Sequence, residues 1–150
     1  MNPVSAENET LAHRYHMDIF QAGNLAVADE ILAPDFVMHS PGFPAELTHG
    51  SEGMKRLATA MRTAFPDLQT THEDTIAQGD KVVIRWTLSG THTGPWLDIP
   101  PTARSFRVSG IDIFRIVDGK LVELWQEGDT LGFLQQLGVI PAAEQSASLS

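Results

Sequence analysis

The chain has 150 residues, with 10 Lys and Arg against 19 Asp and Glu, six His, no Cys and 42% hydrophobic residues. A chain of this length buries roughly 68–70% of the surface its unfolded form exposes, enough for one domain with an internal pocket. The lack of cysteine excludes disulfide frameworks, thiol nucleophiles and Cys-ligated metal centres, and a net charge of −9 argues against nucleic-acid or anionic-membrane partners.

The start, Met1 to Thr10, has no basic region followed by an apolar run, and no apolar stretch approaches the roughly 20 residues of a bilayer span. A small cytoplasmic domain over residues 1–140 is therefore expected, with 141–150 as a flexible tail of small polar residues. Leu11, Tyr15, Ile19 and Ala22 recur at helical spacing, and Gly23 stops that helix. Asn24 caps a short second helix with Leu25, Ala28, Ile31 and Leu32 on its apolar face, ended by Pro34. Asp35 to His39 reads as extended, and Ser40 to Gly50, with two prolines and two glycines, as a loop. A third helix carries Met54, Leu57, Ala58, Met61 and Phe65 on one face and terminates at Pro66.

Beyond Pro66 the period changes from 3.6 to 2. Leu68 to Ile76 is a strand, Gly79-Asp80 a turn, and Lys81 to His92 the clearest strand, with Val82, Ile84, Trp86, Leu88, Gly90 and His92 on one face. Arg104 to Val117 and Leu121 to Glu127 form a hairpin about Asp118-Gly119, and Thr130 to Leu137 a terminal helix. Helices first and an antiparallel meander after them define an α+β fold, with the helices on one face of a curved sheet.

Two carboxylates stand out. Asp112 falls in the alternation Phe106, Val108, Gly110, Asp112, Phe114, Ile116, which points it inward. A carboxyl group in an apolar interior either gains a partner or has its pKa raised, and a raised pKa suits a general acid or base. Asp129 shares the parity of Trp125 and also precedes Thr130, so it reads both as a helix cap and as a group at a cavity mouth. His39, His49 and His92 lie near element ends and could converge on one opening. Their spacing contains no helical ligand pair, which disfavours zinc. Tyr15, Met54, Trp86, Phe106 and Trp125 are candidates to line an apolar pocket.

The run Gly110-Ile111-Asp112-Ile113-Phe114-Arg115, the turn Asp118-Gly119-Lys120, Glu123 with Trp125, Asp129 and Gln135-Gln136-Leu137-Gly138 together resemble the SnoaL-like polyketide cyclases. Phe65-Pro66-Asp67 and Gly90-Thr91-His92-Thr93-Gly94 are similar to that family as well. The resemblance implies the cone-shaped, bent antiparallel sheet of the nuclear transport factor 2 and ketosteroid isomerase group, closed by three N-terminal helices. It implies acid/base ring closure or isomerisation of an apolar carbonyl compound without metal or organic cofactor, with Asp129 as the acid/base, His39 and His92 as polarising or proton-relay groups, and Asp112 as a second candidate for the acid/base. Tyr15, His49, Met54, Trp86, Phe106 and Trp125 would then contact substrate. The resemblance also implies a homodimer through the outer sheet face of Arg85, Thr87, Arg107, Ile111 and Ile113. Many relatives carry His and Asp flanking the tryptophan, where this chain has Leu124 and Gln126. Two other readings are an epoxide hydrolase built on two Asp and an Arg, and a small-molecule binding protein without catalysis.

Overall fold

The computed structural model describes residues 3–141; the tail expected at 141–150 lies, from residue 142 on, outside the described residues. The elements in chain order are α1 (Pro3–Arg14), a π-helical turn (Tyr15–Gln21), α2 (Ala26–Ile31), β1 (Leu32–His39), a 3-10 turn (Ala45–Leu47), α3 (Gly50–Ala64), β2 (Gln69–Gln78), β3 (Lys81–Thr91), β4 (Ser105–Val117), β5 (Lys120–Gly128) and α4 (Thr130–Gln136). The strands form one curled, unclosed sheet in the order β1-β5-β4-β3-β2. Both the α+β class and the helices-then-sheet order expected from the sequence are present. Among the described residues no helix is long and apolar enough to cross a membrane.

The first helix is not continuous to Ala22. It widens into a π-helical turn at Tyr15, and this turn buries Tyr15, His16, Ile19 and Phe20 together. An α-helical stripe through Leu11, Tyr15 and Ile19 leaves His16 at its flank. The wider turn brings it inside, as such bulges do at many functional sites.

β1 begins earlier than expected, at Leu32, and includes Pro34. Proline is tolerated there because β1 is an edge strand, and the pairing skips between Leu32 and Val37. β1 runs parallel to β5, so the sheet is not antiparallel throughout. The β2–β3–β4–β5 meander is antiparallel as expected. At its tight turn Asp118 and Gly119 both have positive φ, 50° and 74°, the geometry an Asp-Gly hairpin requires.

The core lies between the inner sheet face and the helices. Val82, Ile84 and Trp86 of β3 meet Phe106, Val108, Phe114 and Ile116 of β4, with Ile19, Phe36, Met54, Leu57 and Phe65 packed above them. On β5 an extra residue interrupts the alternation: Arg115 pairs with Glu123 but Ile116 with Leu121. The bulge places Leu121 and Leu124 inside, turns Gln126 toward the interior and leaves Trp125 outside, the reverse of the parity read from the sequence. α4 is clamped to β4 by Gln136, whose amide accepts from Arg107 N (2.8 Å) and donates to Arg107 O (3.1 Å), as a neighbouring strand would.

Candidate functional site

A cavity of about 300 Å³ opens between the inner sheet face, α3, α4 and the loops after β1 and β3. Its wall includes Phe43, Leu57, Met61, Trp86, Trp96 and Phe133, with Tyr15, His16, Gln126 and Asp129 as polar groups. Of the site residues singled out in the sequence, Tyr15, Trp86 and Asp129 line it.

Tyr15 is 2% exposed, and among the described residues its hydroxyl has only thioether partners, Met54 Sδ at 3.2 Å and Met38 Sδ at 3.8 Å. Burial, and then the nearby Asp112 charge, push its pKa well above the usual phenol range. The hydroxyl therefore stays protonated, and a sulfur acceptor is weak enough to yield to a carbonyl oxygen. Met54 lies beneath the hydroxyl rather than in the cavity wall.

Asp129 stands at the rim, exposed, between β5 and α4. It caps α4 by accepting the Gly132 N–H on Oδ1 (2.8 Å). Oδ2 has no hydrogen-bond partner among the described residues. It lies so close over Gly132 that a Cβ there would sit 2.1 Å from it, so glycine is required for this carboxylate position. Capping and cavity lining thus coincide in one side chain.

Asp112 is fully buried but does not line the cavity. His16, which no sequence motif marks, stands between them. Its Nε2 bonds Asp112 Oδ2 and its Nδ1 bonds His72 Nε2, both at 2.8 Å. Asp112 Oδ1 is buried without a partner among the described residues. His72 stacks on His13 with ring centroids 4.6 Å apart, and His13 Nε2 bonds Thr75 Oγ1 at 2.9 Å. Burial, then the neighbouring histidines, lower the His72 pKa to about 4, and burial lowers that of His13. No sequence spacing links these groups, because each comes from a different element.

The histidines expected at the opening sit elsewhere. His39 is on the outer side, bonded to Glu123 (2.6 Å) and stacked on Trp125, and its hydrogen bond holds the Glu123 carboxyl below the usual range. His49 is exposed against Thr48 and the Ala45 carbonyl. His92 is fully buried, bonded through Nδ1 to Thr102 and packed on Phe65. Phe106 is core, edge-on to Phe65 and Phe133. Parity failed for Trp125 through the β5 bulge. Gln126 lines the cavity and accepts from Ser40 Oγ (3.3 Å), leaving its amide N–H groups without a described partner. Arg85, the cation an epoxide hydrolase reading needs, is exposed and paired with Asp74 (2.7 Å), and no arginine among the described residues lines the cavity.

This fold and site define a class, that of small α+β proteins with a cavity under a curled sheet. Within it, the profile of the SnoaL-like polyketide cyclase family matches residues 10–137, and the chain belongs to that family. It is 32% identical over 124 residues to nogalonic acid methyl ester cyclase of Streptomyces nogalater, covering 79% of this chain and 89% of that protein. It is 33% identical over 110 residues to aklanonic acid methyl ester cyclase of Streptomyces peucetius, covering 73% and 72%. Among solved structures, TsrD from Streptomyces laurentii superposes with a TM-score of 0.79 at 33% identity, covering 93% of this chain and 99% of that one. Kinship with these cyclases supports an enzyme of cyclase type acting on a polyketide-like substrate.

Proposed function

We propose that the chain closes a ring in an apolar, polyketide-like carbonyl compound by acid/base aldol chemistry inside this cavity, with Asp129 as the catalytic acid/base. The observation that carries the assignment is the inventory of titratable groups on the wall. These are Tyr15, His16 and Asp129. Both His16 nitrogens are committed and the Tyr15 hydroxyl is a donor, which leaves Asp129 Oδ2 as the base with a free lone pair.

The substrate's own bulk would exclude water from the rim. Asp129 takes a proton from the carbon next to a carbonyl. The resulting enolate carbon bonds to the acceptor carbonyl carbon, and the alkoxide so formed takes the proton back from the Asp129 carboxyl group. The carboxylate is regenerated, and the aromatic and methionine wall holds the chain folded for closure. Tyr15 and the Gln126 amide donate hydrogen bonds to substrate carbonyl oxygens at the buried end and along the sheet.

The test is turnover of nogalonic or aklanonic acid methyl ester by wild type and Asp129→Asn. Asn caps as well as Asp, so the fold should persist while turnover falls roughly 10²-fold or more. Full activity in the variant would remove Asp129 from the mechanism. We also assign the outer sheet face around Ile111 and Ile113 to contact with a second copy; Ile111 is 46% exposed. Gel filtration should give a dimer that Ile111→Glu converts to monomer.

A further inference from the structure

The ring-closure scheme leaves the most deeply buried polar assembly of the described residues unused. Asp112 on β4, His16 on the π-helical turn and His72 on β2 are joined end to end by two 2.8 Å hydrogen bonds. One end is a carboxylate of zero exposure with an orphaned oxygen. The middle imidazole forms part of the cavity wall. The other end, His72, is only half-buried and is the member of the three nearest to solvent.

We infer that Asp112, His16 and His72 form a proton conduit that links the buried carboxyl group to solvent behind the cavity wall, so that Asp112 changes charge without the cavity opening. A proton arriving from water bonds His72 Nδ1. The His72 Nε2 proton passes to His16 Nδ1, and the His16 Nε2 proton passes to Asp112 Oδ2. Each ring gains one N–H and loses another, and the carboxylate becomes a neutral acid. The reverse sequence restores it.

The surroundings leave the conduit one outlet. Asp112 faces Ile84 of β3 and Gln126 of β5 in register, neither of which titrates. From α1, His13 stacks on the His72 ring without a hydrogen bond between them, with Glu9 beyond it. From the π-helical turn, Tyr15 lies edge-on to His16 at 5.3 Å. The Asp112 charge raises the Tyr15 pKa, so neutralising Asp112 makes the Tyr15 hydroxyl a stronger donor. His72 is thus a positioning residue, acting on Tyr15 through His16 and Asp112. That last link rests on the cyclase reading, whereas the conduit itself does not.

The test uses the full chain labelled with ¹⁵N-histidine, without substrate, and reads exchange of the His16 ring protons with water by NMR at neutral pH. His72→Phe, which keeps a ring against His13 but has no nitrogen, should slow His16 exchange at least tenfold. His13→Phe, which removes a stacked but unbonded ring, should leave it within twofold. If His72→Phe does not fold, His72→Gln carries the test: an amide keeps a hydrogen bond but does not pass protons on, and the same tenfold slowing is expected. An unchanged rate in the His72 variants, or equal slowing in His13→Phe, overturns the conduit. Loss of turnover in Asp129→Asn bears on the cyclase reading alone, so the two ideas fail separately.

Discussion

Asp129 caps α4 and, in the proposed scheme, is also the base, and substitution separates the two. Asp129→Asn retains a good N-cap and removes the proposed base; Asp129→Ala removes both, costing about 1 kcal/mol of stability in addition. Urea midpoints should therefore distinguish the two variants while turnover does not. Gly132→Ala approaches the same point from outside: its Cβ would displace Asp129 Oδ2, so turnover should fall at least tenfold with the carboxylate still present. Wild-type rates in Gly132→Ala would show that the oxygen's position is unimportant. At this scale the sequence was informative wherever one residue's role is set by its own segment. The cap at Asp129 follows from its place before Thr130, and the inward face of Asp112 from strand alternation. His16 was illegible, because its partners lie 56 and 96 residues away and only the π-helical turn points it inward.

Elements were readable where they obey one period and misread where they break it. The meander and the Asp-Gly hairpin follow from alternation and turn chemistry. The parallel pairing of β1 to β5 does not, since nothing local announces a strand that crosses to join the last one. Nor does the β5 bulge, a single extra residue that exchanges Trp125 for Gln126 at the cavity. Gly110 shows what such geometry costs to alter. A Cβ there would lie 2.2 Å from the Trp86 ring and 2.7 Å from the Glu127 carbonyl oxygen, so β4 passes β3 and β5 at a distance that only glycine permits. Gly110→Ala should force the Trp86 ring into the cavity, destabilising the fold by about 1–3 kcal/mol as overpacking does. Chemical denaturation gives the first quantity, and Trp fluorescence on adding substrate should show weakened binding. A midpoint equal to wild type would mean the strands separate freely.

For the whole molecule, the histidine assembly couples folding to pH, and the sign follows from its position. His72 has a folded-state pKa of about 4 against 6.5 for a free imidazole, because burial and the neighbouring histidines disfavour its charged form. The unfolded chain thus binds a proton between pH 6.5 and 4 that the folded chain refuses, and stability falls as pH drops through that window. His13, also lowered by burial, adds to the same trend. The carboxylates held below their usual range act at lower pH: Glu123 beside His39, Asp67 beside Thr91 and Asp29 beside Lys55 lose their contribution only as they protonate, below about pH 4.5. The window from 6.5 to 5 therefore belongs to the histidines. Urea midpoints at pH 7.0 and 5.0 should show a clear loss for wild type and a smaller one for His72→Phe, which has nothing to protonate at that position. Because His72 is only half-buried, solvent screening keeps the effect below what the full shift would give. Equal losses in the two proteins would mean that His72 is protonated as readily in the folded chain as in the unfolded one.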